Sequence, residues 1–362
     1  KIKLLTTNKN AKKILKQAIL FKVKNIIIED KEIFYKYYHL FKKNKINAHL
    51  GIKNIDKIIN KKVSYCVNSI SGIEGLSPTL KTIPITKNIL IANKESIICA
   101  WDLIKRKLDK YKTQFVPIDS EHFSIWKLIR NEHKKNISKI ILTASGGPFL
   151  NKSLINLANI KPKFALNHPN WKMGKKISID SSTMMNKIFE LIEAKKIFNL
   201  TNDQVSILIH PSSYIHAIVF FKGGLIKFLA HDTNMSIPIS NALGITNLSN
   251  NGLIRKNIKK LNNIFFMLPN KKKFPMLSII NLIPNNTSYF ETILITLNDS
   301  LVGKYLNGEI NYISIYRNLL RLIKSSFFKK YYKLKPKNIY DIKNMINVTN
   351  KYLNKQIRFY DR

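Results

Sequence analysis

Residues 1–43, KIKLLTTNKNAKKILKQAILFKVKNIIIEDKEIFYKYYHLFKK, alternate short β-branched runs with longer segments of helical period. Ile2–Leu5 reads as a strand, Ala11–Phe21 as a helix, Asn25–Ile28 as a strand and Lys31–Lys42 as a helix. Val63–Val67, Ile89–Ile91 and Phe115–Pro117 read as further strands. Strands that alternate with helices build a parallel sheet, because each parallel connection needs a crossover, usually a helix. The expected fold class is α/β, a doubly wound parallel sheet with ligands at the carboxyl ends of its strands.

Working outward, the composition changes near Asp119. The stretch 119–246 gathers the turn clusters SGGP (145–148), HPN (168–170), HPSS (210–213) and KGG (222–224), as functional loops on a rigid scaffold do. Residues 247–273 read as a polar connector, and Leu277–Leu306 and Tyr312–Phe328 carry a helical apolar period. The expected organisation is an α/β domain over 1–118, an α+β domain bearing the chemistry over 119–246, a linker over 247–273 and a helical domain over 274–362.

With 362 residues and 45% apolar content the chain can bury more than one core. No apolar run reaches the ~18–20 residues of a membrane span, and the first residues show neither a signal nor a transit segment. They also lack an initiator Met, so the true start is expected upstream. Cys66 and Cys99 sit in apolar stretches without zinc or disulfide spacing, and read as small buried residues in a reducing compartment. A net charge of +41 invites a polyanion-binding reading. Yet only seven of the 62 basic residues are Arg, the residue that best grips phosphates and bases, and the lysines are spread along the whole chain. Lys, Asn and Ile have AT-rich codons, so base bias in a reduced symbiont genome accounts for the charge, and no nucleic acid or membrane partner is expected.

Five segments carry chemistry. Asp119-Ser120-Glu121-His122 follows an apolar strand; in extended backbone Asp119 and Glu121 project to one side. Paired carboxylates call for a cation or a proton, and hard oxygens suit Mg²⁺ or Mn²⁺, although the segment alone reads first as a solvated turn. Asp180 to Lys187 runs into a helix, with a Ser at the boundary in N-cap position. On that helix Asn186, Lys187 and Glu190 share one face, opposite Met184, Met185, Ile188, Leu191 and Ile192. Its first turn carries hydroxyls, an amide and a lysine where acids are usual, which suits a phosphate as well as it suits a simple cap beside an exposed Lys. Glu190, one turn on, is placed to be a third metal ligand. Thr143–Phe149 is a glycine turn after a strand, able to offer amides and the Ser145 hydroxyl to an anion. In His168–Gly174, Trp171 and Met173 read as a lid over the site or as packing beneath a loop. His210 and His216, six apart, read as structural.

In this order, IANKES (91–96), PIDSEH (117–122), SGGPF (145–149), HPNWKMG (168–174), DSSTMMNK (180–187) and HPSSYIH (210–216) resemble the 1-deoxy-D-xylulose 5-phosphate reductoisomerase family, most specifically over about residues 63–240. The resemblance implies a Rossmann-like first domain and the conversion of 1-deoxy-D-xylulose 5-phosphate to 2-C-methyl-D-erythritol 4-phosphate by a retro-aldol/aldol rearrangement and a hydride transfer. It implies Asp119, Glu121 and Glu190 as ligands of a divalent cation, and Ser145, Ser181, Asn186 and Lys187 as the phosphate grip with His168 beside it. Lys94, Ser120 and Glu121 would meet the sugar oxygens, with Lys94, Glu121 and His168 the catalytic candidates and Glu190 also against substrate. Asn93, Glu95 and Gly174 would face NADPH, and Trp171 and Met173 would close over it. The family's opening strand and glycine-rich turn have no counterpart, so the chain is expected to begin at the second strand, with Lys9 and Asn10 in the loop for the cofactor's ribose phosphate. A truncated relative that binds sugar phosphate without NADPH is the alternative. A homodimer is implied, in a bacterial cytoplasm first and a plastid-type organelle second.

Overall fold

The computed structural model describes residues 1–153, 155–245, 258–262 and 264–357. It divides into two compact units. The first comprises Lys1–Cys66, Ser77–Ile89 and Lys107–Gln114; the second comprises Val67–Leu76, Leu90–Arg106 and Phe115–Arg362.

The first unit holds a parallel sheet in the order β1 (Leu4–Thr7), β2 (Asn25–Ile28), β3 (Asn47–Leu50). Helices α1 (Ala11–Leu20) and α2 (Lys31–Lys43) make the crossovers. Each starts on a side-chain cap: Asn10 Oδ1 accepts the Lys13 N–H (3.2 Å) and Asp30 Oδ1 the Ile33 N–H (3.0 Å). Ala11, Ile14 and Ala18 fall on one helical stripe and meet Ile26 and Ile28 of the central strand, with Phe34 and Phe41 of α2 completing the core. The first strand begins two residues later than its composition indicates, because pairing with the four-residue β2 fixes its register from Leu4 opposite Asn25 to Thr7 opposite Ile28.

A second three-stranded sheet has the order β4 (Val63–Asn68), β5 (Thr86–Ile91), β6 (Gln114–Pro117), with α3 (Lys94–Tyr111) following β5. The mixed sheet of the second unit runs β10 (Ile226–Ala230), β9 (Ile215–Phe221), β7 (Ile137–Ala144), β8 (Val205–Ile209). There β7 pairs parallel with β8 and antiparallel with β9. A parallel-sheet first region, a mixed-sheet middle and a helical end make up the α/β and α+β architecture expected.

Two helical readings need correction. Leu277–Leu306 is not one helix: a 3₁₀ segment, Pro275–Leu282, ends at Ile283, and α-helix resumes only at Phe290. Pro284 supplies no backbone donor there, and a new start is built where Ser288 Oγ accepts the Phe290 N–H (3.0 Å) while Glu291 Oε2 accepts the Ser288 N–H (3.1 Å). Tyr312–Phe328 likewise breaks after Ile323, where Ser325 turns extended (ψ 147°). Residues 247–257 and 263 of the expected connector, and residue 246 before it, lie outside the described residues. Within its described part, Met267 exchanges both backbone hydrogen bonds with Ile209 (2.9 Å each). Cys66 is half-buried and Cys99 fully buried; both are free thiols, and burial pushes both pKa values up. No helix among the described residues is long and apolar enough to cross a membrane.

Phe290 is fully buried where the C-terminal helical region begins, whereas Leu20 is 71% exposed. Phe290→Ala is expected to cost about 3–5 kcal/mol, and Leu20→Ala less than about 0.5 kcal/mol, read as shifts in denaturant midpoint.

Candidate active site

Helix α4 (Ser120–Leu128) starts directly after β6, and Asp119 is its N-cap: Asp119 Oδ1 accepts the Glu121 N–H at 3.2 Å. Asp119 and Glu121 therefore converge as cap and first-turn residues of a helix, not as alternate residues of an extended strand, as the sequence reading had it. Glu190 comes from α6 (Met185–Phe198), and one carboxylate oxygen from each of the three lies within 4.8 Å of the others. Ser120 Oγ donates to Glu121 Oε2 at 2.6 Å.

Cations neutralise this cluster. Lys94 Nζ lies 3.6 Å from Asp119 and 3.5 Å from Glu190, and donates to Asn186 Oδ1 at 2.8 Å. Lys187 Nζ donates to Glu121 Oε1 at 2.6 Å and pairs with Glu190, while Asn186 Nδ2 donates to Glu190 Oε1. Burial works against both ammoniums, but the carboxylates around them outweigh it and raise both pKa values. Burial likewise opposes the Asp119 and Glu121 carboxylates; Lys94 and His122 hold the first well below the usual range, and Lys187 lowers the second. Glu190 is pushed up to about 6 by burial and by Glu121.

His122 was not among the expected site residues, yet it joins two of the ligand segments. Its Nδ1 lies 3.0 Å from Asp119 Oδ1 and its Nε2 2.8 Å from the Glu190 carbonyl. Both neighbours are acceptors, so both ring nitrogens donate and the buried ring is an imidazolium. Burial opposes that charge, but Glu193 and Asp119 carry its pKa up to about 9. The sequence signal was its place three residues after Asp119, which puts the two on one side of a helix start.

The anion side is built on Ser145-Gly146-Gly147. Both glycines have positive φ (83° and 68°), and a Cβ on Gly147 would stand 2.9 Å from Ser182 Cα and 3.0 Å from the Ser181 carbonyl. The loop thus lies against the end of α5 (Lys175–Ser182). This corrects the N-cap reading: Ser181 and Ser182 close one helix, Met184 turns left-handed (φ 66°), and α6 opens at Met185. The Met184, Met185, Ile188, Leu191 and Ile192 face is core as expected, but Lys187 is also buried, which removes the exposed-Lys reading. Its ammonium is spent on carboxylates here.

His168 Nδ1 accepts the Asn170 and Trp171 N–H groups (3.1 and 3.0 Å), and burial lowers its pKa to about 4. The neutral ring therefore carries its proton on Nε2, which donates to Ser145 Oγ at 3.0 Å. The Gly147 N–H also donates to Ser145 Oγ (3.0 Å), leaving the Ser145 hydroxyl proton for a ligand.

The other expected residues are distributed as follows. Asn93 caps α3 by accepting the Ser96 N–H (2.8 Å) and spends its amide on the Ile70 and Gly72 carbonyls and on Glu95. Gly174 caps α5, Trp171 packs edge-on to His216 (6.1 Å), and Met173 is half-buried. Lys9, paired with Asp30 at 3.5 Å, and Asn10 belong to the first unit. His210 and His216 bond the carbonyls of Phe265 and His231, in keeping with structural roles, and His216 stacks on His231 at 3.8 Å, a pairing no sequence pattern announced.

Oxygen ligands for one hard cation, two buried lysines and a glycine–serine anion loop on this frame define a metal-using enzyme of a small phosphorylated substrate. The comparisons narrow the class. The family model described as 1-deoxy-D-xylulose 5-phosphate reductoisomerase matches residues 1–101, and the two models for its C-terminal domains match 115–198 and 231–352. A 1-deoxy-D-xylulose 5-phosphate reductoisomerase of Pelagibacter ubique is 51% identical, covering 95% of this chain and 89% of that one. One from Clostridium tetani is 34% identical over 96% of this chain and 90% of that one. A crystal structure of DOX-P reductoisomerase in complex with NADPH, fosmidomycin and magnesium superposes with a TM-score of 0.89 at 29% identity, covering 100% of this chain and 92% of that one. The Zymomonas mobilis enzyme in complex with NADPH gives 0.86 at 27%, covering 97% and 90%. The chain belongs to the 1-deoxy-D-xylulose 5-phosphate reductoisomerase family.

Gly147→Ala is expected to weaken inorganic phosphate binding at least about tenfold and cost about 1–3 kcal/mol, through its positive φ and its contact with Ser182. Phosphate titration and thermal melting read the two effects separately.

Proposed function

We propose that the Asp119–Glu121–Glu190 cluster is where this chain performs the family's reaction, the NADPH-dependent conversion of 1-deoxy-D-xylulose 5-phosphate to 2-C-methyl-D-erythritol 4-phosphate. The observation that carries this reading is the convergence of three carboxylate oxygens within 4.8 Å beside Lys94 and Lys187. An all-oxygen donor set of this kind fits Mg²⁺ or Mn²⁺. When bound, the cation supplies Lewis acidity to two neighbouring substrate oxygens, and the nicotinamide supplies the reducing equivalents.

The protein's own groups do the rest. Ser145, Ser181, Asn186 and Lys187 grip the phosphate, the last by turning its ammonium from Glu121 and Glu190, and His168 holds Ser145 in a donating orientation. Lys94 and Ser120 meet the sugar oxygens; Lys94, charged at neutral pH, is the candidate proton donor beside them. Trp171 and Met173 exclude water, and Lys9, Asn10, Asn93, Glu95 and Gly174 take the cofactor side. Residues 1–118 serve as the cofactor-binding part, 119–246 as the catalytic part and 274–362 as the helical part. Two such chains form the working dimer in a bacterial cytoplasm, and the lysine-rich composition reflects an AT-rich genome.

The test is cofactor oxidation with 1-deoxy-D-xylulose 5-phosphate, NADPH and Mn²⁺: turnover that stops with a chelator and returns with Mg²⁺ or Mn²⁺ is expected, and folded protein without it would falsify the assignment. Glu190→Gln is expected to lower turnover on the order of 100-fold. The Glu190 pKa is raised to about 6, so the carboxyl takes up a proton as the pH falls through that value. Mn²⁺ affinity, followed by titration calorimetry, is accordingly expected to fall between about pH 7.5 and about pH 5.5.

A further inference from the structure

Outside the metal cluster, one ammonium meets three carboxylates from three segments. Lys176 Nζ, in the first turn of α5, lies 2.9 Å from Asp299 Oδ1, 3.0 Å from Asp180 Oδ2 and 3.4 Å from Glu95 Oε1. The second oxygen of the buried Asp180 accepts from Asn298 Nδ2 at 2.7 Å, and the Phe189 ring lies 5.0 Å from the same ammonium. Asn298 and Asp299 belong to a helix, α7 (Phe290–Leu306), 118 residues beyond Asp180.

A helix N-terminus is the wrong end for a cation, since the helix dipole is positive there. Lys176 offsets that with its Asp180 partner one turn on, and it also joins α5 to α3 and α7. It stands two residues after Gly174, where the Trp171–Met173 segment ends, and one turn before Asp180, the neighbour of Ser181. Glu95, its third partner, adjoins Lys94 in the first turn of α3. One charge thus ties the segment carrying the phosphate hydroxyl to the segment carrying the sugar-facing lysine, and anchors both on α7.

We propose that Lys176 is a positioning residue, which holds the cofactor-facing Glu95 and the phosphate-facing Ser181 in one register so that the nicotinamide and the bound substrate meet at reacting distance. The proposal rests on the roles given to Glu95 and Ser181 above. Reactions that depend on two partners held at reacting distance lose about two orders of magnitude for a misplacement near 1 Å. Removing Lys176 would leave three carboxylates facing one another, so the segments would separate and not merely loosen.

The experiment uses the Mn²⁺-loaded, full chain and NADPH deuterated at the transferred position. Lys176→Met is expected to lower kcat about 10- to 100-fold and to raise the deuterium isotope effect on kcat, as hydride transfer becomes the slow step. Lys176→Arg, which keeps the charge, should restore kcat to within about threefold and return the isotope effect to the wild-type value. Lys196→Met is the structural control: Lys196 pairs with buried Glu291 at 2.7 Å and bonds Thr287, and none of the three is given one of these roles. It should lower Tm while leaving kcat and the isotope effect unchanged. Lys176→Met with kcat within twofold of wild type, or with reduced kcat and an unchanged isotope effect, would overturn the proposal. Should Lys176→Met fold poorly, Lys176→Met with Asp299→Asn removes one of the repelling charges, and the same readouts decide. A wild-type chain without turnover would overturn the functional reading and this inference together; an active wild type beside an indifferent Lys176→Met overturns this inference alone.

Discussion

Buried charge is the constraint around which the second unit is organised. Asp119, Glu121 and Glu190 converge with Lys94, Lys187 and His122, and groups of this kind leave water only when every charge finds a partner. The architecture supplies those partners from separate elements: the N-terminus of α4 gives two acids and a histidine, α3 a lysine, and α6 an acid, an amide and a second lysine. Helix α6 is consequently buried on its polar face as well as its apolar one. Such a helix is steadied by ion pairs on one side and core packing on the other, which fixes its buried acids far more rigidly than a surface helix would.

Much of this was legible in residue order. The helices read at Ala11–Phe21 and Lys31–Lys42 and the strand read at Asn25–Ile28 form within a residue of those bounds, with Asn10 and Asp30 as their caps. The motif residues Asp119, Glu121 and Glu190 are brought together as the resemblance implied. Local reading fell short where the outcome depends on a partner distant in the chain. The break at Met184 looked like a helix start because Ser181 and Ser182 are good caps, yet Gly147 packs against them and they end a helix instead. His122 and Lys176 were not singled out in residue order, since their acceptors Glu190, Glu95 and Asp299 lie 68, 81 and 123 positions away, the last two by subtraction of the residue numbers. Periodicity cannot register contacts of that span.

The helical end of the chain shows the same division of labour. Asn298 and Asp299 reach the Lys176–Asp180 pair, Tyr312 donates to Ser182 Oγ at 3.0 Å, and Tyr305 donates to the Ile160 carbonyl at 2.8 Å. Residues well beyond those motifs thereby brace the helix that ends in Ser181 and Ser182. The C-terminal region is structurally part of the site although it contributes none of the expected ligands.

Ser145 carries one last consequence. Its two lone pairs are engaged by the His168 ring and the Gly147 amide, so the hydroxyl has only its proton left to offer. A hydroxyl in water is indifferent, able to give or to take; this one has been made one-directional. A neighbour that offers a lone pair satisfies this hydroxyl, whereas one that offers only an N–H meets donor against donor. The imidazole fixes this polarity at one remove: by holding one proton in place, it turns a two-way side chain into a pure donor.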